Sequence, residues 1–446
     1  MLSAALLSLL VLLARAQAQP IVSGAAWADT SGNPIQAHGA GILKVGSTFY
    51  WLGEDKSLNS ALFHAVSCYS SPDLVHWTRQ NDALTPLAGT IISSSDIVER
   101  PKVVYNQKNA EYVMWFHSDT SSYGAAMVGV ATAQTPCGPY TYKSSFKPLG
   151  ADSRDESVFQ DDDAAHTAYL LYASDNNQNF KIAQLDADYY NVTAVTSELT
   201  AATLEAPGIV KRDGDYFLIA SHTSGWAPNP NKWFSASSLA GPWSAQQDIA
   251  PAATRTWYSQ NAFDLPLAAA GASVYMGDRW RPDLLGSSRY VWYPLDFASG
   301  APALVHADVW TVDVAAGTYA VASGTSYEAE SGVRGGTSTI LSSSIFSGGE
   351  AVGYLGHGGT VTINNVQGTG GAHWVALYFA NGDSTYRNVT VSVNGGAATL
   401  VDQPDTGGQA VLSVPVQLSL KSGANSITFG AGQTNYAADL DRIVVY

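Results

Sequence analysis

Five stretches of this chain share one grammar: a polar residue, a short apolar strand, a turn and an aromatic-rich second strand. They begin at His38, Glu99, Asp155, Glu205 and Gln260. The fourth is typical: Leu204-Glu205-Ala206-Pro207-Gly208-Ile209-Val210, a turn at Asp213-Gly214, then Tyr216-Phe217-Leu218-Ile219-Ala220-Ser221. Pro207 lacks a backbone donor, so it is expected to open its strand, leaving Glu205 at the mouth of a hairpin. The copies recur every fifty to sixty residues or so, the range of a four-stranded propeller blade. Outer-strand fragments such as Ser71-Pro72-Asp73-Leu74, Cys137-Gly138-Pro139-Tyr140 and Ala240-Gly241-Pro242-Trp243 fall between them, and long helical periodicity is absent. The expected fold is all-β, a five-bladed β-propeller over residues 19–322. Its innermost strands would deliver the five polar residues to one central funnel. A two-sheet sandwich of unrelated hairpins fits five similar copies poorly.

At 446 residues the chain exceeds one compact core, so a second domain is expected. Composition shifts near Ala322. Residues 323–326 read as a linker, and residues 327–446 are Gly-, Ser- and Thr-rich with alternating apolar positions. Thr360–Ile363, Trp374–Phe379, Val389–Val393 and Asn425–Phe429 read as strands of a small β-sandwich of jelly-roll type. Its first and last strands are expected to be neighbours. That would gather Glu328, Glu330 and Asp441, hard oxygen donors that suit calcium or else solvated edge charges.

The net charge of −15 argues against nucleic acid and anionic membrane, and leaves neutral polymers such as polysaccharides as partners. Leu2–Leu13 is an apolar run followed by Ala16-Gln17-Ala18. Residues 1–18 therefore read as a signal peptide, too short to span a bilayer, of a secreted, extracellular protein. Cys68 and Cys137 could form one bridge or remain two buried thiols. Asn191-Val192-Thr193 and Asn388-Val389-Thr390 are glycosylation sequons. A propeller closed on itself offers no edge for association, so a monomer is expected.

Asp155, Glu99 and Glu205 are the acidic candidates aimed into the funnel. Glycoside hydrolysis needs one carboxyl to protonate the leaving oxygen and a second group to assist a nucleophile. Mutual repulsion is expected to raise one of the three acids into the range of a general acid. Glu99 could instead pair with Arg100. Tyr123, Trp226 and Trp280 could stack on sugar faces, although Trp280 equally suits packing between blades. Asn177, Thr223 and Glu54 could hydrogen-bond hydroxyls.

With these residues in hand, the chain resembles glycoside hydrolase family 43. Glu205-Ala206-Pro207, Asp155 before Val158-Phe159-Gln160-Asp161-Asp162, Ser71–Trp77 and Gly277-Asp278-Arg279-Trp280 carry the likeness over about residues 20 to 322. The C-terminal part resembles carbohydrate-binding module family 35 through Tyr327-Glu328-Ala329-Glu330 and Asp439-Leu440-Asp441-Arg442-Ile443. The pairing of the two, with His38–Gly41 and Glu99–Lys102, looks most like the fungal exo-β-1,3-galactanase branch. The resemblance implies inverting release of galactose from β-1,3-galactan, with Glu205 as acid and Asp155 as modulator. The usual first-blade Asp base is missing from His38-Gly39-Ala40-Gly41, and the branch implies that Gln260 holds the attacking water. Glu99 would contact substrate, and whether Gln260 or Glu99 drives the water stays open. In the second domain the resemblance implies calcium at Glu328, Glu330 and Asp441, and galactose contacts at Tyr354, Arg387, Asn435 and Asp439. No cofactor is implied for catalysis. An α-L-arabinofuranosidase or β-xylosidase of the same fold, or a galactan-binding lectin, are the alternatives.

Overall fold

The computed structural model describes residues 19–267 and 271–446. The signal-peptide expectation for residues 1–18 lies outside the described residues, as do Ala268–Ala270. Each of the five repeats is a four-stranded antiparallel sheet whose strands pair in chain order. The innermost strands are His38–Val45, Asp96–Asn106, Glu156–Gln160, Leu204–Arg212 and Gln260–Pro266. Ile21–Val22 pairs with Val309–Asp313, which pairs in turn with Thr318–Val321. Among the described residues helix is limited to short turns, and none is long and apolar enough to cross a membrane.

Apolar side chains fill the wedge between each sheet and the next. Met114 and Phe116 of the second sheet pack with Leu52 and Val66 of the first. Trp115 and Val128 of the second meet Leu170 and Tyr172 of the third. Ile182 of the third meets Leu218 and Phe234 of the fourth. Phe217 and Trp233 of the fourth meet Tyr293 and Leu295 of the fifth. Trp292 and Met276 of the fifth pack with Ile42 and Trp51 of the first. Polar ties run between neighbouring repeats in the same order. Lys102 Nζ donates to Gly39 O at 2.7 Å, Arg100 Nε meets Asp155 Oδ2 at 2.6 Å, and Ala206 N donates to Asp155 Oδ2 at 3.1 Å. Asn261 Nδ2 donates to Ala206 O at 3.3 Å, and Gly39 N to Asp278 Oδ2 at 2.8 Å.

The inner strands are not regular. Register skips between His38 and Gly41, Glu99 and Lys102, Glu205 and Gly208, and Asn261 and Phe263. In three of these bulges the residue after the functional one is left-handed: Gly39 (φ +54°), Arg100 (+54°) and Ala206 (+55°). A bulge breaks the alternation and re-aims the side chain before it. This corrects the expectation for Pro207. It stands inside its strand, at the bulge where no ladder donor is needed, rather than at the start.

The C-terminal residues form two stacked sheets. One has the order Thr339–Ser342, Glu350–Gly353, Asp439–Val445, Gly371–Ala380, Leu412–Leu420, with Thr325–Glu328 also on Asp439–Val445. The other has the order Val333–Gly335, Thr360–Gly368, Gly423–Phe429, Arg387–Val393, Ala398–Gln403. Val352, Leu377, Val391, Ile427 and Ile443 are among the residues filling the space between them. The first and last strands are neighbours as expected, with Glu328 opposite Arg442.

Cys68 and Cys137 are bridged, with Cα atoms 5.6 Å apart and a sequence separation of 69. The bridge joins the first sheet to the second. Closing a loop of this length removes enough unfolded-state entropy to stabilise by about 4 kcal/mol. A Cys68→Ser/Cys137→Ser double variant is expected to lose stability of that order in denaturant unfolding.

Candidate active site

At the starting ends of the inner strands lies a pocket of about 220 Å³, with Glu54, Glu99, Asp155, Glu205, Gln260, Tyr123, Asn177, Trp226 and Trp280 in its lining. A larger cavity of about 620 Å³ lies further along the same strands, lined largely by apolar residues such as Ile42, Val104, Val158, Ile209 and Phe263. The acids converge on the smaller one. Of the residues expected there, two are left out: His38, which is buried with its Nδ1 2.9 Å from Asp278 Oδ1, and Thr223. Thr223 stands exposed just after the strand Asp215–His222.

Arg100 is the hub. Its Nε pairs with Asp155 Oδ2 at 2.6 Å, its Nη2 donates to Gln260 Oε1 at 2.6 Å, and its Nη1 donates to Asn261 O at 3.1 Å. Its backbone N donates to Glu54 Oε1 at 2.9 Å. The expected alternative, a pair between Glu99 and Arg100, is not what forms. Glu99 instead accepts from His117 Nδ1 at 3.3 Å and Tyr123 OH at 2.7 Å. His117 is the cross-strand partner of Glu99, and its Nε2 meets Asp119 at 3.1 Å.

These partners split the carboxyls into two states. Burial works to raise Glu99, but the His117 hydrogen bond, the charges of Lys56 and His117 and the Tyr123 hydroxyl bring it down to about 2. Burial alone would lower His117; its bonds to Asp119 and Glu99 lift it to about 9. Burial pushes Glu205 up to about 8, aided by the charge of Asp155 and opposed by Arg100. Sequence reasoning expected one acid to be raised by repulsion. Desolvation is the larger cause and repulsion from Asp155 the second. Oxygen and nitrogen atoms of Glu99, His117 and Asp155 lie within 4.8 Å of one another. Both ring nitrogens of His117 already serve carboxylates and Asp155 serves Arg100, so the trio does not fit a cation.

Gln260 has no free hydrogen-bonding position. Its Oε1 accepts from Arg100 Nη2 and, at 2.9 Å, from Trp280 Nε1. Its Nε2 donates to Glu205 Oε1 at 2.8 Å and to Ser221 Oγ at 3.2 Å. Two donors facing Oε1 also fix the orientation of the amide, because a flipped group would set donor against donor. In this geometry both lone pairs of the carbonyl expected to orient a water are engaged. By contrast, the carbonyl oxygen of Asn177 and Nε of Arg154 are buried at the pocket without a hydrogen-bond partner. They are ready to meet hydroxyls.

The missing first-strand Asp has a physical explanation. Gly39 has φ +54°, and a Cβ there would lie 2.1 Å from Glu54 Oε1. The Glu54 carboxylate, paired with Lys56 at 2.7 Å, fills that space from the neighbouring strand. Arg100, His117, Lys56 and Ser221 were missed as site residues. The opposition of His117 to Glu99 in a hairpin register was the available signal.

In the C-terminal sheets Tyr354 is half exposed, with its ring 5.9 Å from Tyr436. Arg387 Nη1 donates to Ala437 O at 2.8 Å and Nε to Asp383 Oδ2 at 2.6 Å, and Asn435 Nδ2 donates to Asn388 Oδ1 at 3.2 Å. Burial raises Asp439 against the charge of Arg387. These four expected residues lie on strand ends and loops of one region; Tyr436 and His357 join them and were missed. Glu328 Oε2 and Asp441 Oδ1 both accept from the Ser347 hydroxyl, at 2.5 and 3.1 Å. Glu330 Oε2 is buried without a partner. Burial, then the charges of Glu328, Asp441 and Glu350, raise Glu330.

Residues 32–265 match the family model of glycosyl hydrolases family 43. Residues 360–445 match that of the alpha-galactosidase CBM13 domain. This corrects the family 35 expectation for the carbohydrate-binding module. That likeness rested on the two end motifs, which pair as neighbouring strands in any sandwich whose ends meet. A solved exo-β-1,3-galactanase of Phanerochaete chrysosporium, a Glu-to-Gln variant with β-1,3-galactotriose, is 80% identical. The match covers 96% of this chain and 100% of that one, with TM-score 0.95. An exo-β-1,3-galactanase of Clostridium thermocellum is 29% identical, over 94% of this chain and 99% of that one, with TM-score 0.64. The β-D-galactofuranosidase xynD of Aspergillus niger is 27% identical over 213 residues, 44% of this chain. The chain spans only 60% of the length of that curated relative.

A Glu205→Gln variant separates burial from charge. The folded-state carboxyl is raised above its free value, so its contribution to stability is full below that value and lost as pH rises towards 8. The melting temperature of Glu205→Gln is expected to gain on wild type between about pH 5 and 8. The gain should reach a few degrees, roughly the effect of 1–2 kcal/mol.

Proposed function

The chain belongs to glycosyl hydrolase family 43, and on that premise we propose that it releases galactose, one unit at a time, from the end of β-1,3-galactan, the main chain of arabinogalactan, with inversion. The observation that carries this is one compact pocket holding a carboxyl that stays protonated, Glu205, and one that stays ionised, Glu99. The solved relatives named as exo-β-1,3-galactanases support the substrate. In this reading the five sheets are blades of a β-propeller over residues 19–322, the pocket is its funnel, and residues 327–446 are the binding module. The Cys68–Cys137 bridge supports an oxidising, extracellular setting. The molecule acts as a monomer.

Glu205 donates its proton to the leaving glycosidic oxygen. Asp155, held by Arg100, keeps that proton on Glu205 until the oxygen needs it. Inversion needs a second group roughly 6.5–9.5 Å from the acid, leaving room for water. Gln260 is in direct contact with Glu205 and has no lone pair to offer. We therefore give Gln260 the role of positioning Glu205, and Glu99 that of receiving the water's proton. Each Glu99 oxygen serves one donor and keeps capacity for another. Tyr123, Trp226 and Trp280 line the sugar's apolar faces, while Asn177, Arg154 and Glu54 meet hydroxyls. An arabinofuranosidase or xylosidase of the usual kind needs an Asp where Gly39 leaves no room.

In the module Tyr354, Arg387, Asn435 and Asp439 form the galactose-binding face. Glu328, Glu330 and Asp441 fit a calcium ion. They are hard oxygen donors, one buried oxygen is orphaned, and among the described residues Arg442 is the cation that pairs with them, at Asp441. A bound ion would neutralise them and hold the first strand to the last.

Product analysis by NMR on linear β-1,3-galactan tests the function. Galactose is expected first as the α-anomer. Glu205→Gln and Glu99→Gln should each lower kcat by about 10²–10⁴-fold, and Gln260→Ala by less. Loss in Gln260→Ala with near wild-type Glu99→Gln would return the water to Gln260. Pentose released from arabinosyl or xylosyl substrates, with no galactose from galactan, would overturn the reading. Chelation is expected to lower the melting temperature and calcium to restore it. Glu330→Gln should abolish that response.

A further inference from the structure

We propose that the C-terminal sandwich is part of the catalytic apparatus, because it clamps the backbone that presents Gln260 and Trp280 to the pocket. The inference rests on the reading of that pocket as the active site. Arg255, Thr256, Trp257 and Tyr258 have φ of +48°, +56°, +48° and +55°. Residues other than glycine visit this region as single positions, not in runs of four. Such a run persists only where its surroundings over-determine it. Gln260, which holds Glu205, begins two residues later.

Part of the hold is local. Asn231 N donates to Thr256 Oγ1 at 2.8 Å, and Ser259 Oγ donates to Thr256 O at 2.6 Å. The rest comes from the sandwich. Arg255 Nη2 donates to Asp405 Oδ1 at 2.7 Å and to Asp405 O at 2.9 Å. The Tyr258 ring is buried with Phe379, Leu412 and Ala438. Arg279 bridges both sides. Its Nη2 donates to Trp257 O at 2.9 Å, its Nε to Tyr258 O at 3.3 Å, and its Nη1 to Ser413 O at 3.5 Å.

Trp280, the second donor to Gln260 Oε1, is gripped from the same side. Tyr386 OH donates to Trp280 O at 3.2 Å, and the next residue, Arg281, pairs with Asp402. The docking itself is anchored on one buried carboxylate. Asp308 accepts from the hydroxyls of Tyr378, Ser413 and Tyr446. The lead-in to Gln260 and its tryptophan partner are thus both fastened to the domain that lies outside the pocket. Asp405 and Tyr386 are positioning residues, acting through Gln260 and Trp280.

The test uses the full-length chain with Asp405→Ala, Tyr386→Phe and Asp405→Asn, on β-1,3-galactobiose. Two readouts are taken: the pH profile of kcat, and hydrogen exchange of the amides at 255–261. Asp405→Ala is expected to lower kcat about tenfold with little change in KM. Its alkaline limb should move to lower pH, because water reaching Glu205 weakens the burial that raises it. Exchange at 255–261 should quicken tenfold or more. Tyr386→Phe should show a smaller loss of the same kind. Asp405→Asn, which keeps the acceptor, should retain most of the rate. Wild-type kcat, pH profile and exchange in Asp405→Ala and Tyr386→Phe, even with a lowered melting temperature, would reduce the contacts to docking alone and overturn the proposal. A wild type that cannot cleave galactobiose would fail the functional reading instead, while exchange at 255–261 would still decide the clamp.

Discussion

The site depends on one buried guanidinium. Arg100 sits at a left-handed bulge of the second inner strand and reaches residues of the first, third and fifth repeats. Its backbone fixes Glu54, its Nε fixes Asp155, and its Nη2 fixes the amide of Gln260. Removing one partner of a buried, hydrogen-bonded ion pair typically costs about 3–5 kcal/mol. Here it would also free Asp155 and Gln260, two side chains that define the pocket. Fully paired, the same charge lets the carboxyls of Asp155 and Glu205 stand in one pocket.

The backbone serves this arrangement by repetition. Bulges at His38, Glu99 and Glu205 are each followed by a left-handed residue, so three strands turn the same corner at the same depth. Glycine is required at only one of them. At Gly39 the neighbouring Glu54 carboxylate takes the space a side chain would need. Arg100 and Ala206 bear the strain instead, which is tolerable because the ring of inter-strand hydrogen bonds holds them. The space that a first-strand side chain would take is filled by a carboxylate from the next strand.

Much of this was legible in the sequence. The five hairpin copies gave the sheets, and their first polar residues gave most of the pocket. The alternating C-terminal segments gave a sandwich with paired ends. What stayed hidden depends on contacts between strands far apart in the chain. Arg100 reads locally as a partner for Glu99, yet it turns to Asp155 because the bulge aims it across the funnel. Gln260 reads as a lone amide at a strand start. Only the assembled structure brings two donors to its oxygen and leaves it nothing to offer a water. Pro207 reads as a strand opener because propeller bulges have no composition signal. Thr223 fell outside because it stands exposed past a strand end, tied through its backbone N to Thr203 O rather than turned into the pocket. The family of the C-terminal module was misread because its end motifs report strand pairing more than ancestry.

Burial and Asp155 together keep Glu205 protonated in the same pocket as an ionised Glu99. The most direct test is the pH dependence of kcat/KM for wild type and Asp155→Asn, measured on the same galactan oligosaccharide. Wild type is expected to lose activity as pH rises through about 8, where Glu205 gives up its proton. Asp155→Asn removes the neighbouring negative charge, so its alkaline limb should move to lower pH whatever happens to the absolute rate. A limb that stays in place, or moves upward, would contradict the account.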